Sequence, residues 1–321
     1  MVHKILEPEP QIIPLLLSTK FQHIALIKQC KIDPELITTL VERWRPETHT
    51  FHLPWGECTI TLEDVSLHLG IRVDGCVVTG PNFLHWDDLC DKLLGEVPLG
   101  NARKGAALKL TWLLSILCSP LPEEPTINQL QCRCRAYIMY MIGDALILDK
   151  SGNRVHLMYL NNIKKYSWGL TCLANMYIEL CRASSEVGKV IGGCAILLQS
   201  WAWYRMPFIA PRVSRPQTTY PLAKRWRGGR LEYKAAPHGD LVGYRSRIDH
   251  MESHGLSSSF FRNLLKEASQ GGELSYERAS SSSFLSKAIL RGEAPSSLAY
   301  SLVDGASPLL FSFAFRCISM V

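Results

Sequence analysis

The sequence predicts a mainly α fold: a single helical domain over residues 10–250, with a small β-hairpin near 48–62, irregular basic loops and a poorly ordered tail over 251–321. Three observations carry that reading. Apolar residues recur at helical spacing through most of the chain up to residue 205. Two alternating runs flank Pro54-Trp55-Gly56, the pattern of a hairpin. All eight tryptophans lie before residue 227, whereas 17 of the last 71 residues are serine, so the tail differs in kind.

The elements follow in order. Residues 1–10 read as a frayed start, and a first helix is expected from Ile12 to Gln29, with Pro14 in its first turn. Asp33 then serves as an N-cap and Pro34 fits the first helical position, where its missing N–H has no partner to lose. Leu36, Ile37, Leu40, Val41 and Trp44 share one face, and the Arg45-Pro46 step ends the helix. Phe51 and Leu53, then Cys58, Ile60 and Leu62, form the hairpin arms. Thr61 and Asp64 have capping-box spacing, and Gly70 is a stop.

Beyond this block, residues 77–81 read as a short strand ending in a turn, and Asn82 as the cap of a helix carrying Phe83, Trp86, Leu89, Leu93 and Leu94. A polar loop covers 95–104. Helical patterns return over 108–118 and, from a second capping box at Thr126 and Gln129, through Leu146. A turn at 149–153, a helix after Trp168 and a deeply packed apolar helix over 194–203 complete the body. From Met206 onward prolines and basic residues replace the periodic pattern, which reads as loops wrapping the core.

The stretch DPELITTLVERWRPETHTFHLPWGECTITLEDVSLHLGIRVDG (33–75) resembles the signature block of the plant mobile domain, an aminotransferase-like domain of plant transposons and of genes derived from them. Further blocks follow in that family's order: LKLTWL (108–113), RAYI (135–138), DKSGN (149–153), YSWG (166–169), LCRA (180–183), GGC (192–194), LQSWAW (198–203) and PLAKRW (221–226). The resemblance ends near residue 250, so the tail reads as a replaced or truncated end. It implies a nuclear module linked to transposon and gene silencing, genome maintenance and meristem development. The family has no agreed catalytic residues to carry over.

Composition narrows the classes. An apolar fraction of 47% is ordinary for a globular chain, and eleven scattered cysteines fit a reducing compartment better than a disulfide scaffold. The N-terminus lacks the pattern of a signal peptide. The apolar run near 309–315 is too short to span a membrane, so none is expected as a partner. The net charge of +6 is local: between Arg205 and Arg247 ten bases face only Glu232 and Asp240.

Catalytic and metal motifs are weak. Cys132 and Cys134 lack zinc-knuckle spacing and read as buried thiols, while His49 and His52 read as hairpin residues. Glu63, Asp64, Asp87, Asp88, Asp144 and Asp149 are the carboxylates a two-metal nuclease would need, but Glu63 and Asp64 fit a helix start and Asp149 fits a turn. No Gly-Asn-His-Glu block supports a metallophosphatase, no lysine context marks a pyridoxal Schiff base, and Gly192-Gly193 lacks the rest of a P-loop. No catalytic residue, metal or cofactor is expected.

The remaining signal is the basic window. Arg205, Arg212, Arg215, Lys224, Arg225, Trp226, Arg227 and Arg230 combine phosphate-neutralising cations with an aromatic residue, as nucleic-acid contacts do. The expected function is non-catalytic binding of DNA or chromatin in the nucleus. The alternatives are a protein-interaction scaffold for a phosphatase-like or chromatin partner, and a decayed transposon remnant. The sequence leaves the oligomeric state open.

Overall fold

The first strand, β1 (Val2–Lys4), pairs antiparallel with β2 (Gln29–Lys31), Val2 opposite Lys31, so the expected frayed start is part of a sheet. The computed structural model describes residues 2–79, 85–148, 153–161, 163–185, 191–214, 220–227, 231–234 and 236–252. The turn expected at 149–153 lies outside them except for Asn153, as do Asn82, Phe83 and the tail from residue 253 onward. The described fold is mainly α, with ten α-helices and small antiparallel sheets. No helix among these residues is long and apolar enough to cross a membrane.

The helix expected over 12–29 is interrupted. A 3₁₀ turn leads into α1 (Ile13–Thr19), Lys20 takes a left-handed φ of 64°, and α2 (Gln22–Ala25) restarts before β2. The break lets Phe21 and Ile24 reach the core and frees Gln29–Lys31 to pair with the N-terminus.

Local signals elsewhere hold. Asp33 caps α3 (Pro34–Glu42) by accepting the Glu35 N–H at 3.2 Å. The hairpin gains a third strand, because Trp44 lies in β3 (Trp44–Arg45), which pairs with β4 (Thr50–Leu53), which pairs with β5 (Gly56–Cys58). Ile60 and Leu62 fall beyond β5. The capping box opens α4 (Leu62–Leu69), with the Asp64 carboxylate 2.8 Å from the Thr61 N–H, and Gly70 ends it at φ 68°.

No strand forms over residues 77–79, where only Cys76 bridges to Tyr166. Next come α5 (Trp86–Leu94), β6 (Arg103–Lys104), β7 (Ala107–Lys109) and α6 (Leu110–Cys118). The second capping box starts α7 (Ile127–Met141), which runs into a π-helical turn over Ile142–Leu146. Arg133 staples α6 to α7 from a buried position, donating to the carbonyls of Ile116 and of Ser119 (2.6 Å). β8 (Arg154–His156) completes a sheet with β7 and β6.

Two helices supply much of the buried core. In α8 (Trp168–Ser185) and α9 (Ala195–Arg205) nearly every bulky side chain is buried, and α9 is covered continuously from Ile196 to Tyr204. Aromatic edges join the layers: Trp44 meets Phe51 at 4.9 Å and Tyr177 at 5.2 Å, and Phe51 meets Trp201 at 5.1 Å.

The region after Met206 is more ordered than loops. β9 (Arg212–Val213) pairs with β10 (Leu231–Glu232), a 3₁₀ turn covers Leu222–Trp226, and α10 (Leu241–Asp249) packs on α3. The helix was hidden because its pattern is polar; only Tyr244 and Ile248 are buried.

Candidate nucleic-acid interface

The turn Leu222–Trp226 sits on α4 and α9. Leu222, Ala223 and Trp226 point inward, and Trp226 is only 3% exposed. Its ring meets Trp203 at 5.0 Å and Tyr204 at 5.3 Å, both edge-on. Residues three apart share a face of a 3₁₀ helix, so Lys224 and Arg227 turn outward, while Arg225 falls on the side of buried Leu222 with its Nε enclosed. All three are half-exposed overall, clustered on one short segment.

Arg225 is held in place by the rings below it, its guanidinium carbon 5.3 Å from the centre of Trp226 and 5.9 Å from that of Tyr204. Burial pushes the Tyr204 phenol up to about 12, with Arg225 pulling it back. Tyr220, just before the turn, donates to the Ser66 carbonyl at 3.2 Å and packs its ring edge against His23.

The other window residues divide. Arg212 is exposed on β9, opposite Glu232 in the strand register. Arg205, half-buried at the end of α9, acts inward: burial raises the Cys58 thiol to about 11 and the Asp64 carboxyl above its usual range, and the Arg205 charge opposes both. Arg215 and Arg230 lie outside the described residues. At the far end, Arg245 grips Glu42 of α3 with two nitrogens, one at 2.9 Å, and Arg247 donates to the Phe208 carbonyl at 3.1 Å. The structure therefore brings Lys224, Arg225 and Arg227 together and directs Arg205 and Arg245 to carboxylates of the body.

Two constellations have catalytic residue types: one is sealed from solvent, and the other joins a buried carboxylate to a half-buried histidine. His68 Nδ1 lies 2.7 Å from the Ser200 hydroxyl, joining α4 to α9, with both side chains sealed from solvent. Burial, then the Arg205 charge, drives His68 down to about 3, so it is neutral. The second is the Asp33 carboxylate, which accepts from His238, Tyr244 and Gly239. The sequence pattern showed only Asp33's capping role; its distant partners leave no local signal.

Among the described residues no group of three His, Cys, Asp or Glu side chains is placed to hold a metal ion. Cys132 and Cys134 are buried in α7, and burial raises the Cys134 thiol to about 11. Asp87 forms a two-point ion pair with Arg103, and Asp149 is outside the described residues. His49 stacks on Tyr177, and His52 is exposed.

Trp55 is 59% exposed at the β4–β5 tip, its indole N–H donating to the Met251 carbonyl at 2.6 Å.

The plant mobile domain profile matches residues 20–292, beyond the boundary near residue 250 expected from the sequence motifs. The chain is 42% identical over 236 residues to "Serine/threonine-protein phosphatase 7 long form homolog" of Arabidopsis thaliana, covering 68% of this chain and 18% of that protein. It is 32% identical over 275 residues to "Protein MAIN-LIKE 2" (83% of this chain, 40% of the relative) and 32% over 253 residues to "Protein MAINTENANCE OF MERISTEMS" (76% and 52%), both from the same plant. The chain thus spans between about a fifth and about half of these relatives' lengths. No solved structure matches it.

Proposed function

Because the chain belongs to the plant mobile domain family, we propose that it is a non-catalytic module that binds nucleic acid or chromatin in the nucleus, in the service of silencing and meristem maintenance. The observation that supports this reading is the anchored basic turn. Trp226, Leu222 and Ala223 fix the backbone, Lys224 and Arg227 are half-exposed on it, and Arg225 lies between them over the rings below. Three cations on so short a segment favour a polyanion over any single carboxylate, and each contact to phosphate releases a counterion.

The test is the salt dependence of DNA binding. In the variant carrying Lys224→Gln, Arg225→Gln and Arg227→Gln the slope of log K against log salt should shrink by about one per cation removed. Unchanged affinity and slope would remove the turn from the account.

A second reading is favoured by Trp55, an exposed, oriented tryptophan of the kind that anchors protein interfaces. Here the domain docks a protein partner, for which the phosphatase-named relative suggests a phosphatase-like chain. Binding of a metallophosphatase catalytic domain that disappears in Trp55→Ala, with the basic turn intact, would favour it over nucleic-acid binding.

A further inference from the structure

We infer that the basic turn takes the phosphate backbone of a double helix and not the stacked bases of a single strand; this rests on the reading just given. Single-strand binders pair a cationic groove with aromatic faces open to the bases. The window has the cations, but none of its aromatic side chains is exposed. Trp201, Trp203, Tyr204, Trp226 and Tyr244 are all buried. Phe208, Tyr220 and Tyr233 are half-buried. The Tyr220 ring is packed on His23 at 4.7 Å, and Tyr233 stacks on His238 at 3.9 Å with 25° between planes. Residues 215–219 and 228–230 read RPQTT and GGR, so they add no aromatic side chain.

Arginine can itself stack on a base, but Arg225 lies over the Trp226 and Tyr204 rings, so that face is occupied by the protein. What remains is charge, and a duplex presents about one phosphate per 1.7 Å of axis against one per 3.4 Å for each strand. Residues 224–227 span about 6 Å at the rise of a 3₁₀ turn, so the denser lattice offers more phosphates within reach. Backbone contacts carry no base information, so sequence preference should be slight. Trp55, the exposed tryptophan, sits on the hairpin with its indole N–H held by the Met251 carbonyl.

The experiment is fluorescence anisotropy of the full chain with a short DNA duplex, the matching RNA duplex and oligo-dT of the same length, with a scrambled duplex as competitor. The expected result is tighter binding of duplex than of oligo-dT by about five-fold or more, equal competition by the scrambled duplex, and no change in Trp55→Ala. Both duplexes binding alike would point to phosphate irrespective of sugar; a preference for one names the natural source. Oligo-dT binding as tightly as duplex, or more so, overturns the inference and leaves nucleic-acid binding standing. Oligo-dT binding abolished by Trp55→Ala also overturns it, moving the contact to the hairpin. Failure of the wild-type chain to bind any of the three overturns the proposed function itself.

Discussion

Nδ1 of His238 lies 2.5 Å from Oδ2 of Asp33, across 205 positions of sequence. The same oxygen accepts the Tyr244 hydroxyl at 2.7 Å and the Gly239 N–H at 3.3 Å, while Oδ1 caps α3. The Asp33 N–H donates to Gln199 of α9 at 2.7 Å. One fully buried aspartate thus joins α3, α9 and the approach to α10. Burial alone would raise its carboxyl, but the Glu35 N–H, Tyr244, His238 and Gly239 outweigh that and hold it below the usual range.

Asp33→Ala should therefore destabilise the protein by about 2–4 kcal/mol, because it strands buried donors as well as losing a cap. Tyr244→Phe should cost about 1 kcal/mol. Chemical denaturation measures both. A loss near that of an ordinary N-cap, about 1 kcal/mol, for Asp33→Ala would show that its distant donors contribute nothing.

The Asp33 cluster marks the limit of what the sequence reveals. Both capping boxes, the Asp33 cap and the β4–β5 hairpin were legible because their partners lie within a few residues. The β1–β2 pairing and α10 were not: the first joins segments 29 residues apart at Val2 and Lys31, and the second docks through Asp33 and Glu42, far back in the chain. The basic window was legible as charge, yet its linear list gave no direction. Only burial of Leu222, Ala223 and Trp226 separates outward Lys224 and Arg227 from inward-acting Arg205.

His68 gives a pH prediction. Its folded value, about 3, lies below the usual 6.5, so the unfolded chain binds more protons between those values. Stability should fall as pH drops from about 6.5 toward 3, by a quantity on the order of 4 kcal/mol over the full span. His156, also lowered by burial, has the same sign. Asp64 is raised, and it acts oppositely, losing stability as pH climbs above 3.8. Denaturation midpoints across this range should slope less in His68→Gln; identical slopes would mean that His68 does not set the acid limb.

Gly70→Ala and Gly100→Ala separate strain from space. Both glycines have positive φ, 68° and 58°, so each alanine costs about 1–2 kcal/mol for the left-handed backbone. At Gly70 a Cβ would also lie 2.4 Å from Cβ of His23, whereas at Gly100 nothing lies within 4 Å. Gly70→Ala should cost about 1–3 kcal/mol more than its counterpart. Equal denaturation midpoints would show that α2 shifts freely away from α4.

Trp226 tests how the turn is divided between anchor and contact. Its side chain is enclosed by Trp203 and Tyr204, so Trp226→Ala should remove about 3–5 kcal/mol of stability. Trp226→Phe keeps an apolar ring under Arg225 and should lose less. Lys224, half-exposed, should do the reverse: Lys224→Gln leaves the denaturation midpoint within about 0.5 kcal/mol of wild type and weakens duplex binding at low salt. If Trp226 supports the cations without touching the ligand, Trp226→Phe binds duplex with the wild-type salt slope wherever it is folded. A Trp226→Phe protein that melts normally yet loses its affinity would mean that the indole itself meets the ligand, and that the turn opens when it binds.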